Sequence, residues 1–324
     1  MKFITTCAIG LENHISESIK AYATIIEVYP GIIVFECDSL EKLTQLKTVD
    51  DILYHVKKLA GVSRYRATLK NIRHQLRKSS FLKKTKDVSS FFVDVAYNGK
   101  IDYTAKEIKD LAVGEIKKKY KWKFEKENAD INICINLDKN YSYVGISLNS
   151  QPLHVLRAID TVPGSLKNSI ATFMLDLANT NKNNIVLDPM CGSGVIPFEA
   201  DLLGAKAIGG DIDPLRINVA KLNSDRPEYN IWDATKTDLK DKSIDKVVSN
   251  LPFGKQVDIN NPEKFFEKFT DEMIRVSKRK FTWVLLTTHS IIFEKIVEKK
   301  KLKITKQINI QNSGLKSKIL VITP

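Results

Sequence analysis

The chain has 324 residues, of which 43% are hydrophobic, and its formal net charge is +13. That length accommodates two or three domains with a sizeable core, in an ordinary globular composition. No apolar run reaches the roughly 18 residues of a membrane span. The opening stretch MKFITTCAIGLENHIS lacks the long apolar segment of a signal peptide. We therefore expect a soluble, cytosolic protein.

The four cysteines lack the spacing of a metal site or of a disulfide framework. They are Cys7, Cys37, Cys134 and Cys191, without any C-x-x-C pair and without a histidine at ligand spacing. A disulfide framework is not expected in a chain of this length. We therefore expect no structural metal.

The positive charge is concentrated between Val56 and Ser90, where eleven basic residues face a single acidic one. Such clustering indicates a polyanionic partner, with RNA or DNA ahead of a membrane surface because large aromatic residues are few there. Spacings of three or four residues among Arg66, Lys70, Arg73 and Arg77 place these four side chains on one face of a helix. The expected phosphate contacts are Arg64, Arg66, Lys70, Arg73 and Arg77.

The first half of the chain mixes strands and helices in an irregular order. FITTCAIG, ISESIKAYA and GIIVFECD predict a β-α-β unit, and LEKLTQLKTVDDILYHVKKLAG predicts a helix before the basic stretch. A strand in SSFFVDVAYNG, a helix in AKEIKDLAVGEIKKKY and two strands around an Asp-Lys-Asn turn follow. The pattern changes near residues 58 and 158, which we take as domain boundaries.

The second half alternates strand and helix. The predicted strands are NIVLD, AIGGD, YNIWD, DKVVSN and FTWVLLTT, and the predicted helices between them are IPFEADLLG, PLRINVAKLNS and PEKFFEKFTDEMIRVSK. The helix SIIFEKIVEKKK and the two strands KITKQINIQ and KSKILVITP close the chain. This alternation predicts an α/β fold with a parallel sheet covered on both faces and an antiparallel hairpin at one edge.

Each of the first four predicted strands ends on a polar residue: Asp188, Asp211, Asp233 and Asn250. Ligands of open parallel sheets bind at the carboxyl ends of the strands, so these side chains should face one crevice. Asp211 follows Gly194 at an offset close to that of a ribose-binding carboxylate. A helix cap is the alternative for Asp211, although Asp213 before Pro214 fits that role better.

The turn PMCGSG after Asp188 lets backbone N–H groups approach a ligand closely. It is not a P-loop, because no Gly-Lys-Ser/Thr follows, and Pro197 occupies the third position of a G-x-G-x-x-G pattern. A structural turn is the alternative. Asp233 is placed to accept a hydrogen bond from an adenine amine, with an Asx-turn as its alternative. We interpret the Cys191 thiol as a packing group.

In this order, VLDPMCGSG, AIGGDID, WDAT and NLPFG resemble four motifs of the S-adenosylmethionine-dependent Rossmann methyltransferases. The resemblance implies S-adenosylmethionine as cofactor and a Rossmann-like methyltransferase domain over residues 159–324. The cofactor-binding residues that it implies are Asp188, Met190, Cys191, Gly192, Ser193, Gly194, Asp211, Ile212, Asp233, Ala234 and Asn250.

The motif NLPFG is similar to the (Asn/Asp/Ser)-Pro-Pro-(Tyr/Phe) motif of amino-methyltransferases, which implies catalytic roles for Asn250, Pro252 and Phe253. The Asn250 side-chain oxygen and a nearby backbone carbonyl would accept the two hydrogens of a target amine and orient its lone pair. Pro252 would stiffen the turn, and Phe253 would stack on a base. Leu251, in place of the more usual proline, favours the guanine-N2 branch over adenine-N6 or glutamine methylation. For the motif alone, an ordinary turn is the alternative.

Residues 129–158 resemble the end of a THUMP domain, with Leu153 and Arg157 at its closing positions. The opening of the chain resembles the ferredoxin-like domain that precedes THUMP, and VPGSLKNSIATFMLDLA resembles the linker helix before the catalytic sheet. The expected domains are therefore 1–58 (ferredoxin-like), 59–158 (THUMP) and 159–324, with the linker helix at 162–179. Arg157 and Lys167 join the expected RNA contacts, and Lys167 is also a candidate cofactor contact.

This domain order resembles that of THUMP-containing tRNA guanine-N2 methyltransferases, which modify position six in the acceptor stem. The resemblance implies tRNA as a partner. It also implies the small zinc-binding activator subunit that some eukaryotic relatives need. Two alternatives stay open: a THUMP methyltransferase acting on another nucleotide of tRNA, ribosomal RNA or small nuclear RNA, and a non-catalytic RNA-binding protein.

Overall fold

The computed structural model describes residues 1–43, 46–81, 88–97, 99–148, 164–252, 261–312 and 314–324. The chain divides into two compact units. Unit 1 comprises Met1–Cys7 and Leu11–Leu156, and unit 2 comprises Ala8–Gly10 and Arg157–Pro324.

Unit 1 is built on one mixed sheet of eight strands in the order β2-β3-β1-β4-β8-β7-β5-β6. The strands are β1 (Lys2–Thr6), β2 (Ala23–Tyr29), β3 (Ile32–Cys37), β4 (Asp51–Lys58), β5 (Ser90–Tyr97), β6 (Lys123–Phe124), β7 (Ile131–Leu137) and β8 (Tyr143–Ser147). The helices described in this unit are α1 (Glu12–Ile19), α2 (Leu40–Leu43), α3 (Thr68–Lys78) and α4 (Ala105–Tyr120).

Strand β4 corrects the prediction of one long helix over residues 40–61. Among the described residues of this stretch only Leu40–Leu43 is helical, whereas Asp51–Lys58 pairs antiparallel with both β1 and β8. Its first three residues are buried, since the strand lies in the interior of the sheet. The sheet therefore continues through residue 58, where we expect a domain boundary. Strand β2 was not predicted either.

Helices α3 and α4 cover the part of this sheet that contains β5 and β7. Their buried residues Ile72, Leu76, Ile108 and Ala112 join one apolar cluster with Phe91 and neighbouring strand residues. Helix α4 begins with a capping box, in which the Thr104 hydroxyl accepts from the Glu107 N–H and the Glu107 carboxylate accepts from the Thr104 N–H. The outer face of α3 carries exposed basic side chains.

Unit 2 is a seven-stranded sheet in the order β11-β10-β9-β12-β13-β15-β14. The strands are β9 (Ile185–Asp188), β10 (Lys206–Asp211), β11 (Glu228–Ile231), β12 (Ile244–Asn250), β13 (Ser277–Thr287), β14 (Lys303–Asn312) and β15 (Leu315–Thr323). The helices described in this unit are α5 (Asn168–Leu177), α6 (Val195–Leu202), α7 (Pro214–Asn223), α8 (Pro262–Val276) and α9 (Ser290–Lys299).

Strands β9 to β13 are parallel, and β14 and β15 form the antiparallel hairpin at the edge, which confirms the predicted α/β architecture. The strand order reverses between β9 and β12, whose carboxyl ends therefore flank the switch-point crevice. Asp213 caps α7 by accepting from the Leu215 N–H at 2.9 Å, and Pro214 opens that helix, as predicted. In the described part of the chain, no helix is long and apolar enough to cross a membrane.

Candidate active site

A cavity of about 690 Å³ opens at the carboxyl ends of the parallel strands in unit 2. Ten of the eleven predicted cofactor residues line it, and Gly194 is the exception. Pro252 lines the cavity as well, whereas Phe253 lies outside the described residues. The structure thus brings together the polar strand ends, the glycine-rich turn and the start of the NLPFG motif.

The glycine-rich turn is held against the neighbouring strand. The Gly192 N–H donates to Asp211 Oδ2 at 3.0 Å, and the Cys191 N–H donates to the Gly210 carbonyl at 2.7 Å. Gly194 has φ +81°, and a Cβ there would lie 2.6 Å from the Tyr229 hydroxyl, so glycine is required for two independent reasons. Gly194 therefore determines the backbone conformation of the turn without lining the cavity.

Cys191 is buried in an apolar cluster with Ile217, Ala220 and Tyr229. Burial raises the pKa of its thiol well above the ordinary value, and the nearby Asp188 and Asp211 raise it further. A thiol in this state is a poor nucleophile. The geometry supports the interpretation of this side chain as a packing group.

Asp188, at the end of β9, is buried. Its Oδ1 accepts hydrogen bonds from the Ser249 hydroxyl at 2.7 Å and from the Met190 N–H at 3.2 Å. Loss of hydration nevertheless raises the pKa of this carboxyl to about 7, and the Asp211 charge adds to the effect. A positively charged ligand in the cavity would favour the ionised form.

Asp211 and Asp233 each combine a structural role with a place in the cavity wall. The two carboxylate oxygens of Asp211 accept from the N–H groups of Gly192 and Asp213, both at 3.0 Å. Asp233 Oδ1 accepts from the Thr235 N–H and hydroxyl, both at 2.8 Å, which is the Asx-turn that was its alternative reading. The remaining lone pairs of both carboxylates are available to ribose hydroxyls or an adenine amine.

Asn250 ends β12, and its side-chain Oδ1 is buried with no hydrogen-bond partner in the described part of the chain. The strand end is fixed, because the Leu251 N–H donates to the Leu286 carbonyl at 2.9 Å and Leu251 is fully buried. A buried acceptor without a partner is costly in a folded protein, and a bound water, ion or ligand is a usual way to satisfy it. The lone pairs of this oxygen can accept hydrogen bonds from a ligand in the cavity.

Two further walls of the cavity were not predicted. Trp232, just before Asp233, packs so closely on Gly210 that a Cβ there would lie 1.9 Å from the indole Nε1. Its Nε1–H donates to the Pro189 carbonyl at 3.3 Å, which ties this wall to the glycine-rich turn. The second wall comes from α8, and its lining residues are Asn261, Lys264, Phe265 and Lys268. No local sequence signal reveals either wall, because the fold brings each of them to the cavity from a different element.

The predicted phosphate contacts of unit 1 are exposed on and before α3. Arg66 precedes the helix, which corrects its placement on the same helical face, and it pairs with Glu107. Arg73 and Arg77 both contact Glu115, at 3.5 Å and 2.7 Å. Lys70 has no ion-pair partner in the described part of the chain, and the Arg64 guanidinium lies 4.9 Å from the Tyr65 ring centre.

The last two predicted RNA contacts belong to unit 2. Arg157 lies outside the described residues. Lys167 is exposed at the start of α5 and does not line the cavity, although its neighbours Ser165 and Leu166 do. The described residues also contain no group of three His, Cys, Asp or Glu side chains arranged to hold a metal.

The sheet order, the glycine-rich turn and the acidic strand ends define the class of Rossmann-like, S-adenosylmethionine-dependent methyltransferases. Residues 157–318 match the family model UPF0020, described as the RMKL-like methyltransferase domain, and residues 67–147 match the THUMP domain. Because the first match covers half of the chain, the protein belongs to this methyltransferase family, and it carries a THUMP domain in addition.

Among similar proteins is the human tRNA (guanine(6)-N(2))-methyltransferase THUMP3, which is 30% identical over 163 residues, 44% of this chain and 32% of that protein. Another is the bovine U6 snRNA (guanine-N(2))-methyltransferase THUMPD2, 30% identical over 191 residues, 56% of this chain and 37% of the relative. These matches thus span about a third of each relative's length.

The structure of TrmN from Thermus thermophilus superposes with a TM-score of 0.77 and covers 99% of both chains at 18% sequence identity. This similarity establishes the fold.

The cofactor of the family is S-adenosylmethionine, and the cavity fits it. The carboxylates of Asp211 and Asp233 suit hydroxyl and amine donors, and Asp188 provides a buried site that favours a cation. Ile212 is 72% exposed at the cavity edge, where it provides an apolar surface for a base. When bound, the cofactor supplies an electrophilic methyl group on a sulfonium.

Proposed function

We propose that the protein methylates the exocyclic N2 of a guanosine in RNA, using S-adenosylmethionine. The observation that supports this most strongly is the buried, unpartnered Asn250 Oδ1 at the carboxyl end of β12, in the wall of the cavity. An amine donates hydrogen bonds, so the site is matched to an –NH₂ group. A hydroxyl or thiol substrate would need a base that removes its single proton.

The proposed chemistry is orientation of a weak nucleophile. The lone pair of an exocyclic amine is delocalised into the base, and acceptors for its two hydrogens favour a pyramidal nitrogen. Asn250 Oδ1 would accept a hydrogen bond from one N–H of the amine, and a backbone carbonyl near Leu251 and Pro252 would accept one from the other N–H. The gain comes from positioning and preorganised polar contacts. Formation of the bond between N2 and the methyl carbon would be matched by cleavage of the sulfonium–methyl bond, whose electron pair would stay on the sulfur of the S-adenosylhomocysteine product. One N–H proton would pass to water, which would leave N2 as a neutral secondary amine.

For the substrate we propose a tRNA acceptor stem, with position six as the target. Two observations support RNA: the THUMP domain over residues 67–147 and the exposed basic side chains around α3. The guanine and its position follow the name of the human relative. A small nuclear RNA is the second candidate, because the bovine relative is named a U6 snRNA enzyme.

The direct test is incubation of the purified protein with labelled S-adenosylmethionine and total tRNA, followed by nuclease digestion and mass spectrometry of the nucleosides. We expect label in N2-methylguanosine, at the acceptor stem when fragments are mapped. Label in another nucleoside would contradict the guanine-N2 proposal.

A second arm uses total small nuclear RNA, and label there alone would contradict the tRNA proposal. A third arm covers the small zinc-binding activator subunit that the resemblance implies. Activity that appears only after co-expression with such a subunit would support that partner.

A further inference from the structure

The active-site cavity has two walls of opposite charge. One side carries the four carboxylates of Asp188, Asp211, Asp213 and Asp233. The other side is the first two turns of α8, which contributes Lys264 and Lys268. The carboxylates suit the cationic and hydroxyl groups of the cofactor, whereas the basic wall requires an anion.

Both lysine side chains of this wall are exposed and carry no ion pair in the described part of the chain. Other basic residues nearby are engaged: Arg216, also in the cavity wall, lies 3.7 Å from an Asp213 oxygen, and Lys299 and Lys300 pair with Glu267 and Asp271 of α8. Helix α8 thus pairs Glu267 and Asp271 with lysines of α9 and contributes Lys264 and Lys268 to the cavity wall.

The spacing of the lysines is fixed by the helix. They are four residues apart, so they lie one above the other on the same face, about 6 Å apart along the axis. Asn261 caps the helix by accepting from the Lys264 N–H at 3.0 Å, and Pro262 opens it. Phe265 lines the same wall, and its ring stacks on that of Phe269 with the ring centres 6.4 Å apart.

The target nucleotide must leave its stack to reach Asn250, because Oδ1 of that residue is buried. Its base then enters the cavity, but its phosphates stay at the mouth, because burying an unpaired charge is costly. The two lysine side chains are exposed in the cavity wall, where phosphates that stay in solvent can reach them, and the half-buried Phe265 lines the same wall.

We propose that Lys264 and Lys268 form a phosphate clamp that holds the RNA backbone on both sides of the extruded guanosine. This inference rests on the proposed function and specifies how the same site takes its RNA. The clamp reads no sequence, since phosphate contacts position a nucleic acid without identifying its bases. It sets how far the nucleotide can enter.

The test measures the affinity of the S-adenosylhomocysteine-loaded protein for total tRNA as a function of salt. The variants are Lys264→Gln, Lys268→Gln and their double mutant. Lys295→Gln is the matched control, because Lys295 is an exposed lysine on α9 outside the cavity wall. Each lost phosphate contact should lower the steepness of log K against log salt by about 0.7, while the control keeps the wild-type slope.

Affinity for S-adenosylhomocysteine should be unchanged in all variants. A double mutant with the wild-type salt slope would overturn the clamp. So would a loss of S-adenosylhomocysteine affinity with an unchanged slope, because the lysines would then serve the cofactor. A shallower slope in a protein that forms no N2-methylguanosine would support the clamp and refute the proposed reaction. A double mutant that forms N2-methylguanosine and binds tRNA with the wild-type salt slope would support the proposed reaction and overturn the clamp.

Discussion

Replacing Gly210 by alanine tests whether the Trp232 wall holds the cofactor turn. The added Cβ would lie 1.9 Å from the indole Nε1 and 2.0 Å from Cε2, whereas ordinary contact begins at 3.4 Å. The ring must therefore move by about 1.5 Å. The hydrogen bond from Nε1 to the Pro189 carbonyl is already 3.3 Å long, so a shift of this size breaks it.

The expected cost has two parts. Overpacking of a close-packed site costs about 1–3 kcal/mol, and a lost buried hydrogen bond about 1 kcal/mol. The sum, about 2–4 kcal/mol, lowers the melting temperature of a domain of this size by roughly 4–16 °C. Because Trp232 and Pro189 both line the cavity, we also expect at least about tenfold weaker binding of S-adenosylhomocysteine.

Scanning calorimetry and titration calorimetry measure the two effects. Gly114→Ala is the matched control, because Gly114 is an exposed residue within α4 and a Cβ there meets nothing within 4 Å. That substitution should stabilise by about 0.5–1 kcal/mol and leave ligand binding unchanged. A second variant, Gly210→Ala with Trp232→Leu, should recover part of the lost stability. A Gly210→Ala protein with the wild-type melting temperature and the wild-type affinity for S-adenosylhomocysteine would refute the reasoning.

Two further predictions concern charge. The pKa of Asp188 is raised to about 7 in the folded chain, so between about pH 4 and pH 7 the folded chain holds this proton and the unfolded chain releases it. Without cofactor, the free energy of unfolding should therefore fall as the pH rises through this window, by up to roughly 1.4 kcal/mol per pH unit. Asp188→Asn keeps an acceptor for Ser249 and should flatten this dependence in denaturant titrations at pH 5 and pH 7.5; an unchanged dependence would assign it to other groups. On α3, Lys70→Gln should weaken tRNA binding and lower the slope of log K against log salt by about 0.7. Lys126→Gln, on an exposed loop, is the control and should keep the wild-type slope. Equal slopes in both variants would exclude Lys70 as a phosphate contact.

The methyltransferase sheet was predictable because its local signals agree with one another. Short apolar strands, each ending on Asp or Asn, alternate with amphipathic helices, and a strand end is fixed by its own sequence. Asp188, Asp211, Asp233 and Asn250 therefore line the cavity as expected. Asp213 before Pro214 was readable as a helix cap for the same reason.

The errors arose where tertiary contacts decide the structure. DILYHVKK has apolar spacings compatible with a helix, and only its pairing with β1 and β8 makes it a strand. The contact between Gly210 and Trp232 joins residues of different elements, so no local pattern reveals it. The lysines of α8 resembled an ordinary solvated face until the fold turned that face toward the cavity.

The measurement that tests the central claim most directly is the rate of N2-methylguanosine formation by Asn250→Ala, with the affinity for S-adenosylhomocysteine measured on the same sample. Asn183→Ala is the control, because this exposed asparagine precedes β9 and so lies at the end of that strand opposite to the cavity. Loss of one preorganised polar contact should slow methyl transfer at least about a hundredfold. Cofactor-product affinity should change little, and Asn183→Ala should match the wild type. An Asn250→Ala variant with the wild-type rate would contradict the amine-holding role.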